Sequence, residues 1–343
     1  MHLRHLDGLR GIAILLVLVS HLSTGTFLAP YLKLGWTGVD LFFVLSGFLI
    51  TGILLDTKNK EGYYRIFITR RVLRIFPIYY AVLLICLILS TQLSILSWFP
   101  NYQLYFWTYT QNFLIASKGW ITVPLGHFWS LAIEEQFYLL WPLIILSLKP
   151  KQVLVLCALL LITALSIRWY NPVFPFAQVF TLAHIDGLLI GSALAIAVRL
   201  NQNRIFQYSG LIMVLASILF AVLLITTKPW REYSTTFIRF GFTLIAFFYG
   251  ALLLFSLKNE ILKKILSLRP LVFFGIYSYG IYVYHGVLIN MARYYYNEWL
   301  SSNRFLGHSM VLLLSLGISY ISYNWFEKFF LSKKPPYPNQ IKK

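Results

Sequence analysis

An arginine and a histidine on one face of an apolar segment are the first residues here that could do chemistry. The segment reads Leu6-Asp7-Gly8-Leu9-Arg10-Gly11-Ile12-Ala13 and reaches His21 near its middle or outer half. At about 3.6 residues per turn, Arg10 and His21 share a helix face about 16 Å apart along the axis, with Asp7 within about 40° of it. The stripe carries a carboxylate and a guanidinium at one end and an imidazole deeper in. Imidazole takes and returns a proton near neutral pH, which suits deprotonating a hydroxyl as it attacks a thioester. A structural histidine, hydrogen-bonded between helices, is the alternative.

A second group lies in Tyr63-Tyr64-Arg65-Ile66-Phe67-Ile68-Thr69-Arg70-Arg71-Val72-Leu73-Arg74-Ile75-Phe76-Pro77. Arg71 and Arg74 are an Arg-x-x-Arg pair at the expected start of a helix, where i and i+3 share a face; Arg70 adjoins them. Two guanidinium forks can hold phosphates bidentately. Coenzyme A, with a diphosphate and a ribose phosphate, fits such a pair. The competing explanation is that these arginines orient the chain and touch anionic lipid head groups.

Carboxylates form the third group. Glu134 and Glu135 stand together in Gly126-His127-Phe128-Trp129-Ser130-Leu131-Ala132-Ile133-Glu134-Glu135-Gln136-Phe137-Tyr138. Helical neighbours point about 100° apart, so one can face a site while the other meets a different partner. Either could orient a histidine or form an internal ion pair. Asp40, Asp186, His285 and Glu327 are further titratable groups in or beside apolar segments. Asp40 also suits a helix N-terminus. Asp186 and Glu327 are expected toward the same end as the arginines, where they would neutralise them. Gly187, Gly191 and Gly280 are expected at close helix contacts.

The elements that position these groups are membrane spans. Of 343 residues, 59% are hydrophobic and 12% charged, half the charge of a soluble domain. Apolar runs near 20 residues predict an all-α bundle of ten transmembrane helices at 9–27, 37–55, 73–92, 128–147, 153–169, 178–198, 208–226, 237–257, 271–290 and 306–326. Ionisable groups within spans are expensive and therefore candidates for function. Of the 29 lysines and arginines, only Lys33, Lys118, Arg168, Lys228, Arg231, Arg239, Arg293 and Arg304 fall on one side. The excess on the other side makes both termini cytoplasmic, and it explains the charge of +18 without nucleic acid. The aromatic-rich connection 93–127 is then external and suits a short interfacial or re-entrant helix. Cys86 and Cys157 lie in apolar runs and imply no disulfide or metal framework. The first segment lacks a small-residue cleavage site and reads as an uncleaved helix. Residues 1–330 form one transmembrane domain and 331–343 a short basic cytoplasmic tail.

Taken in order, these segments resemble the acyltransferase-3 family of membrane acyltransferases. The likeness runs from Leu6 to Glu327 through Leu6-Asp7-Gly8-Leu9-Arg10-Gly11, Gly38-Val39-Asp40-Leu41-Phe42-Phe43-Val44-Leu45-Ser46-Gly47, Arg70-Arg71-Val72-Leu73-Arg74-Ile75-Phe76-Pro77, Trp129-Ser130-Leu131-Ala132-Ile133-Glu134, Asp186-Gly187-Leu188 and Tyr279-Gly280-Ile281-Tyr282-Val283-Tyr284-His285. The resemblance implies an acyl-coenzyme A donor, often acetyl-coenzyme A, on the cytoplasmic side. The acceptor it implies is a hydroxyl of a cell-surface polysaccharide, lipopolysaccharide or lipid-linked sugar. Arg10 and His21 match the family's first-helix pair, Arg71 and Arg74 its Arg-x-x-Arg motif, and Glu134 its helix-four carboxylate. Two positions depart from it: His184 stands where many relatives have arginine, and Lys328 is followed by Phe329 rather than proline. Some relatives append an external hydrolase-like domain; this chain ends soon after its tenth helix, so it is expected to act alone or with a partner.

The expected function is thus a multi-pass O-acyltransferase of the bacterial cytoplasmic membrane, in contact with membrane lipids and compatible with a homo-oligomer. His21, Arg10 and Glu134 would carry the chemistry, with His21 either the general base toward the acceptor hydroxyl or a brief carrier of the acyl group. Arg10 would pair with Asp7 or Glu327, and Glu134 would set the histidine's orientation. Arg70, Arg71 and Arg74 would bind the donor, and His285 would serve the acceptor side. No metal is required, since no histidine has a ligand spacing, and no cofactor is held permanently. A transporter or flippase for a lipid-linked sugar would also line a pathway with charge; it would cleave no thioester. A binding or assembly subunit of an envelope complex would tolerate loss of His21.

Overall fold

The computed structural model describes residues 3–22, 29–229 and 233–337. The last residues of the first expected span, Arg231 and the tail beyond Tyr337 lie outside the described residues, as does the side chain of Arg304. The described secondary structure is entirely helical. Its long helices are α1 (Arg4–Leu22), α2 (Gly38–Thr57), α3 (Tyr63–Leu89), α4 (Trp129–Ser147), α5 (Pro150–Tyr170), α6 (Asp186–Gln207), α7 (Ser209–Thr227), α8 (Thr235–Lys258), α9 (Arg269–Tyr295) and α10 (Arg304–Ile321). Each overlaps an expected span. Eight helical segments are long and apolar enough to cross a membrane; α4 and α6 are not among them. Both carry charges within the run, at Glu134 and Glu135 and at Asp186, Arg199 and Arg204.

Apolar side chains surround the helices rather than forming one stripe, as a lipid-facing bundle requires. The core lies where α1, α2, α4, α6 and α9 meet, and α7 and α10 stay largely on the outside. Successive long helices alternate in direction, across short connections and across the long one between α3 and α4 alike. Asp7, Arg10, Arg71, Arg74 and Glu327 consequently share one end of the bundle, called here the arginine end. Arg168, Asp186 and Arg293 share the other.

Three boundaries differ from expectation. α3 begins ten residues before 73, because arginine favours helix and does not interrupt it. The Arg-x-x-Arg pair therefore stands two turns inside a helix rather than at its start. Residues 178–185 are not the start of a span; they form a short turn, a 3-10 turn at Thr181–Ala183 and an irregular link to α6. This backbone is satisfied inside the protein: Asn112 donates to the Val179 carbonyl at 3.1 Å and to Thr181 at 2.9 Å, and Arg168 donates to the Ala183 carbonyl. Irregular backbone at membrane depth is tolerated only when buried in this way. α10 loosens into a π-helical turn at Ser322–Glu327 and ends in Lys328–Ser332. The connection between α3 and α4 holds two short helices, Phe99–Trp107 and Gln111–Lys118, and both cysteines are free and buried.

Glycines set the closest helix contacts. A Cβ on Gly11 would lie 2.0 Å from the Leu271 carbonyl oxygen, and one on Gly275 would lie 1.9 Å from that of Asp7. α1 and α9 thus meet backbone to backbone. α2 and α6 meet likewise: a Cβ on Gly47 or Gly191 would fall 2.1 Å from the Leu188 or Val44 carbonyl oxygen. Gly187 is also tight, 2.7 Å from the Phe43 Cβ, whereas Gly280 would make only a 3.3 Å contact with Ser319. Gly317 meets nothing within 4 Å. We predict that Gly11→Ala forces α1 from α9 at a cost of about 1–3 kcal/mol or more, seen as a lower unfolding temperature in detergent. Gly317→Ala should unfold at or above the wild-type temperature, since alanine favours helix.

Candidate active site

At the arginine end, α1, α2, α3, α4 and α9 enclose a cavity of about 120 Å³. Its polar wall is Arg10, Ser46, Arg71, Arg74, Ser130, Glu134, Tyr138, Ser278, Tyr279 and Tyr282. The helix-one arginine, the Arg-x-x-Arg pair and the helix-four glutamate therefore share one chamber. Arg10 donates to Asp7 at 3.1 Å, so Asp7 rather than Glu327 is its ion-pair partner. Glu134 accepts from Ser46 Oγ at 2.6 Å, and Ser46 accepts from the Tyr138 hydroxyl at 3.1 Å. Glu134 is held by α2 among the arginines, not against the histidine it was expected to orient. Glu327 is buried within the field of Arg74.

Tyr282 and Ser130 close the chamber on the side away from the arginine end. The Tyr282 hydroxyl donates to the His127 carbonyl at 2.7 Å and lies 2.5 Å from Ser130 Oγ. Since a carbonyl only accepts, the serine is the donor of the second bond. Behind this pair stand three imidazoles. His21 and His285 have ring centroids 5.1 Å apart, and His127 and His285 are 5.4 Å apart, all edge to face. Nδ1 of His21 donates to the Val17 carbonyl at 3.0 Å and Nδ1 of His285 to the Ile281 carbonyl at 2.9 Å. Each neutral ring therefore carries its lone pair on Nε2. His127 is the mirror case: Nε2 donates to the Val283 carbonyl at 3.2 Å. Its ring fills the space over Gly286, where a Cβ would fall 2.4 Å from Nδ1. Arg293 donates to the His21 carbonyl. Among the described residues, no three His, Cys, Asp or Glu side chains are placed to hold a metal ion.

Other expected site residues separate from this group. Glu135 lines a different cavity of about 180 Å³ with Arg71, Gln136 and Tyr109. Arg70 points out of the chamber: it donates to the Pro335 carbonyl, and its guanidinium lies 4.0 Å from the centre of the Tyr337 ring. Asp40 and Asp186 belong to a sealed network at the opposite end. Arg168 grips Asp186 with bonds of 2.7 and 3.0 Å, Thr243 donates to Asp186 at 2.5 Å, and His184 donates from Nδ1 to the Gln178 carbonyl at 2.6 Å with its Nε2 2.8 Å from Asp40. All four ionisable residues are 0% exposed. Asp186 therefore does not neutralise the Arg-x-x-Arg pair. It starts α6 beside the last turn of α5, and an approach to the arginine end would require crossing the bundle. His184 stands where an arginine was expected, and the arginine beside Asp186 comes instead from α5.

Sequence reasoning missed His127, Ser46 and Tyr282 as site residues. Each lay within a quoted segment, but only tertiary packing brings Ser46 and Tyr282 to the chamber and the His127 ring against that of His285.

A family model described as an acyltransferase domain matches residues 3–324. The chain belongs to that acyltransferase family. The resemblance read from its motifs is borne out, and so is the enzyme class, an acyltransferase that moves groups other than amino-acyl groups. Relatives include the peptidoglycan O-acetyltransferase OatA of Listeria monocytogenes, 31% identical over 84% of this chain and 49% of the relative. The putative peptidoglycan O-acetyltransferase YrhL of Bacillus subtilis is 30% identical over 84% and 48%, and the O-acetyltransferase OatA of Staphylococcus aureus is 30% identical over 86% and 52%. The chain thus spans about half the length of the curated relatives it matches. No solved structure matches it.

The sealed network should act on stability. Asp186→Ala leaves the Arg168 charge buried without its partner and should cost about 3–5 kcal/mol, measured as thermal unfolding in detergent. Replacing both residues by leucine should recover part of that loss.

Proposed function

We propose that this acyltransferase is a membrane-bound O-acetyltransferase that moves an acetyl group from cytoplasmic acetyl-coenzyme A to a hydroxyl of a cell-envelope glycan. One observation carries the reading: Tyr282, which lines the arginine chamber, has its ring 5.5 Å from that of His127 and 5.7 Å from that of His285. A donor for such a path bears its charge far from its reacting atom. Coenzyme A does so, with phosphates at one end and the thioester at the end of the pantetheine arm. Arg10 and His21 are about 16 Å apart along α1, a spacing that suits this separation.

In this reading Arg71 and Arg74 hold the phosphates through bidentate forks. Arg10, fixed by Asp7, steadies the donor where it enters, and Glu134 balances the arginine charge. The acceptor hydroxyl gives its proton to His21 Nε2 as its oxygen attacks the thioester carbonyl. The carbon–sulfur bond breaks, the coenzyme leaves as thiolate, and the proton returns to the sulfur. Products are the glycan ester and coenzyme A. His21 is ready as a base because its other nitrogen is already committed as donor to Val17. The arginine end is the cytoplasmic one, with both termini on that side of a bacterial cytoplasmic membrane, as the distribution of lysine and arginine favours. The relatives' names support a peptidoglycan-type acceptor.

Coenzyme A release from acetyl-coenzyme A, measured on purified protein in lipid with a crude glycolipid or peptidoglycan fraction, tests the reading. We expect His21→Ala to lose acceptor-dependent release by about 100-fold or more while still binding coenzyme A. Arg71→Ala should raise KM for the donor roughly tenfold. Wild-type protein that releases no coenzyme A yet moves a lipid-linked sugar across the bilayer would instead identify a transporter.

A further inference from the structure

Beyond α10 the chain folds back over the arginine end. Pro335 gives its carbonyl to Arg70, and Tyr337 stacks on the same guanidinium. Proline brings no N–H that needs a partner and fixes its own φ, so Pro335 and Pro336 hold Lys334 and Tyr337 at a set spacing. Tyr337 lines a cavity of about 730 Å³ with Leu3, Leu49, Ile53, Arg199 and Lys263. That space adjoins a smaller one of about 200 Å³, which shares Leu3, Leu49 and Ile53 with it and has Asp7, Arg10, Arg71 and Tyr138 as its polar wall. The smaller space in turn shares Arg10, Ser46, Arg71 and Tyr138 with the chamber below Tyr282. The returning segment therefore borders the mouth of a series of spaces leading to the site.

The charges at this mouth do not balance. Lys334 is half-buried, and burial together with Arg74, Arg71 and Arg70 pushes its pKa down to about 7, opposed by Glu327. The Nε atoms of Arg70 and Arg71 are buried with no hydrogen-bond partner among the described residues. Buried donors without acceptors and cations folded against cations are both costly. A polyanion between the segment and α3 would relieve both.

We propose that residues 334–337 form the outer wall of the donor site and that Lys334 is a further cation for the donor's phosphates beside Arg71 and Arg74, so that donor binding fastens this segment onto α3. The inference rests on the reading that Arg71 and Arg74 hold coenzyme A.

Calorimetry of coenzyme A binding to the full chain in phosphatidylcholine nanodiscs tests it. Lys334→Ala should weaken binding roughly tenfold, Lys334→Arg should retain it, and Lys334→Glu should weaken it further. Coenzyme A should also slow amide exchange at 333–337 in wild type. Equal binding by wild type and Lys334→Ala would overturn the proposal, with the Arg71→Ala loss still standing for the donor reading. Tighter binding by Lys334→Ala would make the segment a plug and also overturn it. Wild type that binds no coenzyme A would sink the donor reading and this inference together. A Lys334→Ala effect that appears only in phosphatidylglycerol nanodiscs would assign the lysine to lipid head groups and overturn it as well.

Discussion

Two helices meeting backbone to backbone hold this site together. α1 brings Arg10 to one end and His21 to the other; α9 brings Tyr279 and Tyr282 to the chamber wall and His285 to the imidazole cluster. Only glycine at positions 11 and 275 lets the two backbones approach so closely. In lipid, where apolar surface gives helices little reason to associate, such close packing is a main source of affinity between them. Any side chain at these glycines would separate His21 from His285 and open the chamber together, since one contact sets both distances.

Charge is handled in two contrasting ways. At the end where α5 and α6 meet, Arg168, Asp186 and Thr243 bond one another and His184 bonds Asp40, so each buried carboxylate has a side-chain partner. Their geometry fixes how α2, α5, α6 and α8 dock and leaves little for a ligand to do. At the arginine end, buried guanidinium donors stay unfilled and Lys334 is pressed against like charge. Burial of unbalanced charge costs stability, and the anionic donor proposed above would offset that cost. The same residue types therefore read as scaffold where cation and carboxylate are matched, and as site where cations crowd together.

Tyr282 and Ser130 join the two ends of the path. Their short contact ties α4 to α9 and roofs the arginine chamber, while the His127 carbonyl that accepts from Tyr282 belongs to the residue whose ring meets His285 edge to face. A displacement of the tyrosine at the chamber would be felt directly at the histidines.

What the sequence determined by itself was local. The helical repeat put Arg10 and His21 on one face and Arg71 beside Arg74, because that repeat is set by backbone hydrogen bonds within the segment. Apolar run length gave the long helices and their order. The order of the motifs gave the family. Partner choice was decided only by the tertiary structure. Asp186 was expected to neutralise the arginines near α3 and instead pairs with Arg168; Glu134 was expected beside the histidine and instead bonds Ser46; Arg70 was grouped with Arg71 and Arg74 yet turns to Pro335 and Tyr337. His127 drew no notice as a site residue until α9 offered the space over Gly286. Each of these pairings joins residues far apart in the chain. They follow from the need to satisfy every buried polar group within whichever helices pack together, a condition that no single helix's periodicity contains.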